Sequence, residues 1–251
     1  MEYTRSGEYK LPGSIHCLGG NVALRLARFV PSTFRSEFVS SRSYYQVFNG
    51  SDVGDGQGLS IRKWEALQMP ADLKGKSVLD IGCSEGFFCR ECAKRGAQFV
   101  LGMDSSLGRL LYGRFTALRE GLKIRYKMGV FPGSLPARKF DYVLCLSVLH
   151  HSLVKKDIWK VLTLPEHADD LAVLREQLRL LRYLITDGGS CILEIPYEYD
   201  DPHAERQCVN FELFNNELTG AGFTSAKYLG TWDYNAKHRA YKDRILYVAG
   251  A

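Results

Sequence analysis

The chain has 251 residues, of which 45% are hydrophobic and 24% charged, with a formal net charge of +5. This length and balance fit one large globular α/β domain with a modest appendage, and they exclude a disordered or fibrous chain. No apolar run approaches the roughly 18 residues that a membrane helix needs, so no membrane partner is expected. The first residues mix charges without an apolar core, which is typical of neither a secretory nor a transit signal, and we expect a cytoplasmic protein.

The cysteines indicate reduced thiols, because seven is an odd number and the chain is long enough to fold without a disulfide framework. Cys89 and Cys92 form one C-x-x-C, one turn apart on a predicted helix. A zinc site requires further ligands at matching spacing, and none stands out. We therefore expect no metal site and interpret the pair as buried thiols.

The amino-terminal part differs in pattern from the rest of the chain. Apolar residues at helical spacing within 21–38 predict a helical cap that breaks at Pro31, and the glycine-rich stretch 50–58 predicts a loop. We expect residues 1–70 to form a helical, substrate-side extension and residues 71–251 to form the main domain.

From Lys76 onward, short apolar runs alternate with amphipathic stretches. This alternation predicts an α/β fold with a doubly wound, mostly parallel sheet of seven strands. The predicted strands are 77–81, 98–103, 124–128, 140–147, 189–195, 224–230 and 243–249. The predicted helices are 86–95, 106–120, 168–185 and 210–221. The long insertion within 151–168 is a candidate lid over the substrate entrance.

The first predicted strand of the sheet, 78–81, runs into a turn that carries Gly82 and Gly86 and then into a helix. A glycine turn lets a ligand approach the backbone, and a helix N-terminus presents free amide donors. Asp104 ends the next strand, where an acid can accept both hydroxyls of a ribose. NAD is disfavoured, because the G-x-G-x-x-G pattern is incomplete and Glu85 would place a negative charge near a pyrophosphate.

These residues resemble the class I S-adenosylmethionine (SAM)-dependent methyltransferases, which have a Rossmann-like fold, over about residues 76–250. The resemblance implies SAM as cofactor, with Asp80 orienting its methionine amino group and the acid after the second strand binding its ribose. It also places Gly129, Val130 and Phe131 against the adenine. The implied cofactor-binding residues are Asp80, Gly82, Cys83, Ser84, Gly86, Phe87, Asp104, Ser105, Val130, Phe131, Leu146 and Trp64.

The sequence departs from the family pattern at two places. Cys83-Ser84 stands at the second glycine of the usual D-x-G-x-G-x-G, which predicts an altered turn, and the usual acid before the fourth strand is missing from 128–131. More locally, the run 62–97 is similar to a subgroup that includes the transferase that adds a carboxymethyl group to the tRNA wobble uridine. In that subgroup a tryptophan placed like Trp64 precedes the sheet. This local similarity does not imply the substrate.

Methyl transfer from SAM is an in-line displacement in which the enzyme positions the nucleophile and, where needed, accepts its proton. His150 and His151 follow the fourth strand at the edge where open α/β sheets bind ligands, so both are candidate catalytic bases, with His150 preferred. At least one of them has the alternative role of a buried, hydrogen-bonding histidine. Glu194 ends the fifth strand and is the other candidate base; its alternative is a salt-bridging or helix-capping carboxylate.

Together these features predict a SAM-dependent methyltransferase that acts on an oxygen or nitrogen of a small molecule, such as a sugar or secondary metabolite. The alternative is an RNA substrate, because 90–139 holds eleven Lys or Arg against three acidic residues. The same charges also fit the solvated outer faces of two helices. A third hypothesis is a SAM-binding protein without catalysis. The sequence does not indicate an oligomeric state.

Overall fold

The computed structural model describes residues 60–153, 161–162, 167–198, 211–233 and 242–251. The chain divides into two compact units after Ser41, and every described residue belongs to the second unit. The predicted helical cap within 21–38, the glycine-rich loop 50–58 and most of the candidate lid lie outside the described residues. The domain boundary at residue 70 therefore stays a prediction.

Seven strands form one sheet in the order β3-β2-β1-β4-β5-β7-β6. Their bounds are β1 Ser77–Ile81, β2 Phe99–Asp104, β3 Arg125–Met128, β4 Phe140–Leu146, β5 Ile185–Glu198, β6 Ser225–Asp233 and β7 Lys242–Gly250. Strands β1 to β5 pair in parallel, whereas β7 is antiparallel to both β5 and β6. The predicted doubly wound, mostly parallel sheet is confirmed.

Helices flank the sheet at the predicted places, with one addition. Their bounds are α1 Ser60–Ala66, α2 Phe87–Lys94, α3 Leu107–Arg119, α4 Ala168–Tyr183 and α5 Phe211–Gly220, and a 3₁₀ turn spans Leu149–Ser152. The sequence did not predict α1, which is seven residues long. No helix among the described residues is long and apolar enough to cross a membrane.

The parallel strands β1, β2 and β4 are mostly buried because helices cover both faces of the sheet. All five residues of β1 are buried. Leu79 and Ile81 pack with Leu174 of α4 in one core layer, whereas Val78, the residue before Leu79, packs with Phe88 of α2 in the other. Successive side chains of a strand point to opposite faces, so each strand contributes to both layers.

The turn formers Asp187-Gly188-Gly189, expected from their type to form the turn between the predicted helix 168–185 and the predicted strand 189–195, lie inside β5 rather than before it. The register between β4 and β5 shifts after Phe140, and Gly188 has a φ of 75°, so the three residues form an irregularity in the strand. Strand β1 has β2 on one side and β4 on the other. The strand order therefore reverses between β1 and β4, and the carboxyl ends of these strands are where such sheets bind ligands.

Candidate cofactor and active site

A cavity of about 560 Å³ opens at the carboxyl ends of β1, β2 and β4. This volume is in the usual range for a small-molecule or cofactor site. Nine of the predicted site residues line it, namely Gly82, Ser84, Asp104, Ser105, Val130, Phe131, Leu146, His150 and His151. Gly129, which the resemblance placed against the adenine, also lines it.

Five lining residues were not assigned from the sequence, namely Ile81, Met103, Arg109, Ser147 and Val148. Ile81 ends β1 and Met103 is the residue before the end of β2, so their position at the sheet edge was the available signal. Ser147 directly follows β4. Nothing in the sequence indicates that Arg109 lines a cavity, because it is one of many basic residues in 90–139.

The turn after β1 needs glycine at Gly82 and Gly86. Both have a left-handed φ, 72° and 75°, which suits glycine because it lacks a Cβ. A Cβ on Gly82 would lie 2.6 Å from Val148 Cγ2, and one on Gly86 would overlap the Tyr126 hydroxyl. The backbone N–H of Gly82 also donates to the carbonyl of Met103 at 2.7 Å. The chain therefore passes close to its neighbours on both sides of this turn.

Ser84 occupies the position of the middle glycine and adopts a φ of 51°. A left-handed conformation costs a non-glycine residue about 1–2 kcal/mol. Two hydrogen bonds hold it: its backbone N–H donates to Asp104 Oδ2 at 2.9 Å, and its hydroxyl donates to Glu85 Oε2 at 2.6 Å. The prediction of an altered turn is therefore not supported at this residue, because serine takes up the conformation that glycine favours.

Asp104 lies at the cavity wall and is 7% exposed. Its two oxygens accept from the backbone N–H groups of Ser84 at 2.9 Å and Ser106 at 2.8 Å. A carboxylate oxygen can accept a second hydrogen bond, so both remain able to accept from a ribose. Its contact with the ribose stays a prediction.

Asp80 is buried below the turn and does not line the cavity. The Cys89 thiol donates to its Oδ2 at 3.4 Å. Burial raises the pKa of Asp80 to about 7, and the nearby charge of Asp104 acts in the same direction. Its predicted contact with the methionine amino group stays a prediction.

Three further residues that were predicted to bind the cofactor are buried in the core beside the turn after β1. Cys83 and Phe87 are buried and belong to the core layer that contains α2, and neither lines the cavity. Trp64 packs against Phe88 with ring centroids 6.2 Å apart, and the Arg95 guanidinium lies 4.5 Å from its ring. Their direct contact with SAM stays a prediction.

The cysteines of the C-x-x-C are buried in the same core layer. Burial raises the pKa values of the Cys89 and Cys92 thiols, which keeps both protonated. This agrees with the interpretation as buried thiols. No cluster of three or more potential metal ligands occurs within the described ranges.

The candidate catalytic residues separate into two groups. His150 and His151 lie on the 3₁₀ turn, line the cavity and have ring centroids 4.2 Å apart. Glu194 is fully buried and does not line the cavity. Its Oε2 accepts from Lys63 Nζ at 2.8 Å and from Ser147 Oγ at 2.5 Å. The salt-bridging alternative therefore describes the geometry of Glu194.

Basic residues gather around β3, at the edge of the sheet. The segment 105–139 contains eight Lys or Arg and one acidic residue, Glu120, and Glu120 is paired with Arg90 and Lys94. Arg109 belongs to this segment and lines the cavity. We name the exposed members the basic edge: Arg109, Arg114, Arg119, Lys123, Arg125, Lys127, Arg138 and Lys139.

Residues 78–164 match the model of a family described as "Methyltransferase domain". This region of the chain is therefore similar to a methyltransferase domain. The predicted resemblance to the class I methyltransferases is confirmed, and the glycine turn, Asp104 and both histidines lie inside the matched region.

Curated relatives give two kinds of name. A tRNA U34 carboxymethyltransferase from Nautilia profundicola is 26% identical over 184 residues, which cover 70% of this chain and 57% of the relative. A ubiquinone biosynthesis O-methyltransferase from Hahella chejuensis is 35% identical over 83 residues, which cover 32% of this chain and 34% of the relative. The chain thus spans between about a third and just over half of these relatives.

Among solved structures, the SAH-bound N-terminal domain of EvdMO1 has a TM-score of 0.54 and 16% identity, and the alignment covers 95% of this chain and 100% of that domain. At this identity the likeness shows the fold alone.

Proposed function

We propose that this chain is a SAM-dependent transferase that modifies an RNA, with the donor in the cavity and the RNA on the basic edge. The proposal is carried by one observation: the basic edge continues into the cavity, because Arg109 belongs to the basic edge and also lines the cavity. A phosphate chain bound along this edge would lie beside the cavity in which the methyl group is presented.

Three cations of the basic edge are available to a polyanion. No ion pair within the described part of the chain involves Arg114, Lys123 or Lys127, and all three are exposed. Arg125 and Arg138 stack on the Phe99 ring at 5.2 and 4.1 Å, which orients their guanidinium groups. Lys and Arg side chains that neutralise phosphates release counterions, and this release drives RNA binding.

The cavity fits SAM by its size, by the missing Cβ at Gly82 and by the oriented carboxylate of Asp104. When bound, SAM supplies an electrophilic methyl group. Asp104 would bind the ribose, and His150 or His151 would accept a proton if the acceptor atom carries one. The name of the Nautilia relative, which covers most of this chain, supports RNA as the acceptor class.

The proposal is tested by incubating the protein with radiolabelled SAM and total bacterial tRNA. Label should appear in the tRNA. If about four phosphates are contacted, the affinity for tRNA should fall on the order of a hundredfold between about 50 and about 200 mM salt. Unlabelled tRNA together with salt-independent binding would contradict the proposal.

A second candidate is methyl transfer to an oxygen or nitrogen of a small molecule, as first predicted. Its support is the cavity volume, which suits a small acceptor beside the cofactor, and the O-methyltransferase relative. Label transferred to a hydroxylated metabolite, at a rate that moderate salt does not change, would favour this candidate. Transfer to either acceptor class would exclude a protein that only binds SAM.

A further inference from the structure

Ser147 connects β4 to the turn that carries both histidines, and it has an unusual conformation. Its φ is 59°, in the left-handed region that serine rarely adopts. It is 8% exposed and lines the cavity. Backbone strain of this kind persists only where the surrounding structure holds it, so the contacts of Ser147 identify what holds the turn.

Glu194 of β5 binds both the backbone N–H and the hydroxyl of Ser147. The backbone N–H of Ser147 donates to the Glu194 carbonyl at 3.2 Å, and its hydroxyl donates to Glu194 Oε2 at 2.5 Å. Leu146, the residue before Ser147, is the register partner of Glu194. The left-handed residue is therefore fixed at its backbone and at its side chain by the same residue of the neighbouring strand.

Glu194 is in turn held by a countercharge. It is fully buried, and a buried carboxylate is unfavourable unless a charge or hydrogen bonds compensate it. Lys63 of α1, itself 3% exposed, places its Nζ 2.8 Å from Glu194 Oε2. We name these three residues the Ser147–Glu194–Lys63 network.

The network reaches the cavity through the residues that follow Ser147. Val148 Cγ2 lies 2.6 Å from where a Cβ on Gly82 would be, so the turn after β4 packs directly on the glycine turn after β1. His150 and His151 continue the same turn and line the cavity. The conformation of Ser147 therefore sets where these three residues lie relative to the cofactor site.

We propose that Glu194, with Lys63 as its countercharge, is a positioning residue that holds the turn after β4 through Ser147, and does not act as the catalytic base. This inference rests on the proposed transferase function. Glu194 and Lys63 should therefore affect the rate of transfer more than the affinity for the cofactor, because neither residue lines the cavity.

The main test is Ser147→Ala in the full chain, which removes the side-chain hydrogen bond to Glu194 and leaves the backbone hydrogen bond in place. We expect kcat for transfer to total tRNA to fall at least about tenfold, since small displacements of catalytic groups are costly, while the Kd for S-adenosylhomocysteine changes less than about threefold. Thr116→Val is the matched control, because it removes another buried hydroxyl, which donates to the Tyr112 carbonyl. It should leave kcat within about twofold.

The double variant Lys63→Met/Glu194→Gln separates positioning from proton transfer. The glutamine amide oxygen can still accept from Ser147, and the pair is neutral, so the turn should be held as before. We expect kcat within about threefold of the unmodified chain and an unchanged pH profile. Loss of one limb of the pH profile, or a fall of about a hundredfold, would show that the carboxylate takes part in chemistry and would overturn the inference.

Amide hydrogen exchange keeps this test independent of the acceptor. In Ser147→Ala, exchange over 147–153 should accelerate at least about tenfold while exchange in β1 stays unchanged. If the unmodified chain transfers nothing to tRNA but this local acceleration occurs, the RNA proposal fails and the positioning role stands. Unchanged exchange and unchanged kcat in Ser147→Ala would overturn the positioning role.

Discussion

The backbone N–H of Ser84 donates a 2.9 Å hydrogen bond to Asp104 and thereby joins the turn after β1 to the end of β2. The two elements that form the cofactor signature in the sequence are thus one unit in the structure. A change at Asp104 is expected to affect both the ribose contact and the turn itself.

Replacing Asp104 with alanine should weaken binding of S-adenosylhomocysteine. The variant loses the acceptor for the N–H groups of Ser84 and Ser106 and the predicted ribose contact. Hydrogen bonds to a charged group contribute about 1.5–3 kcal/mol, so we expect a loss of roughly 10- to 100-fold in affinity by isothermal titration calorimetry. Asp187→Ala, at a carboxylate that is 96% exposed, is the control and should bind normally. Equal affinities of the two variants would exclude Asp104 from the site.

Gly82 and Gly121 offer a matched pair for testing the close approach at the turn. Their φ values are 72° and 70°, but a Cβ on Gly82 would lie 2.6 Å from Val148, whereas a Cβ on Gly121 would meet nothing within 4 Å. Both alanine variants should lose about 1 kcal/mol from the backbone conformation. Only Gly82→Ala should lose a further amount of about 1–3 kcal/mol in urea unfolding, together with cofactor affinity. Similar losses in both variants would mean that the turn has room to adjust.

The stability of the fold should depend on the ionisation of Asp80. Folding raises its pKa from 3.8 to about 7 because the carboxyl is buried. The folded chain therefore binds this proton more tightly than the unfolded chain, and the contribution of Asp80 to stability falls as the pH rises from about 4 through about 7. Asp80→Asn removes this dependence.

The measurement is urea unfolding of both proteins at about pH 5 and about pH 8. Relative to the unmodified chain, Asp80→Asn should gain on the order of 2–4 kcal/mol of stability between these two conditions. If the difference between the proteins is the same at both pH values, Asp80 ionises normally in the folded state.

Charge reversal on the basic edge should weaken RNA binding without affecting the cofactor. Arg114→Glu/Lys123→Glu removes two exposed cations, and we expect at least about a tenfold loss of tRNA affinity with a salt slope shallower by about two. Arg179→Glu/Lys227→Glu changes the same number of charges on α4 and β6, outside the basic edge, and serves as the control. Indistinguishable tRNA binding by the two double variants would place the RNA elsewhere or exclude it.

The buried strands β1, β2 and β4 were predictable within a few residues because strands buried on both faces give apolar runs of strand length. The short helix α1 was not, since it has only seven residues and follows a glycine-rich stretch. The lining of the cavity was largely predictable for a topological reason. Parallel strands bring their carboxyl ends to one edge, so Asp104, His150 and the glycine turn had to meet there.

The roles of Trp64 and Glu194 could not be read from residue type. A tryptophan before the first strand can face the cofactor or the core, and here it packs on Phe88. Lys63 and Glu194 are 131 positions apart in the sequence. Their pairing depends on the strand order and on the register of β4 against β5, which residue patterns alone do not specify.

Lys63 and Glu194 both lie outside residues 78–164, the region that matches the family model. A fragment trimmed to that region would contain the glycine turn, Asp104 and both histidines, but it would omit α1 and β5 and with them the two residues that hold Ser147. A portion of this chain that keeps the cavity in shape is therefore expected to include α1 and to extend through β5.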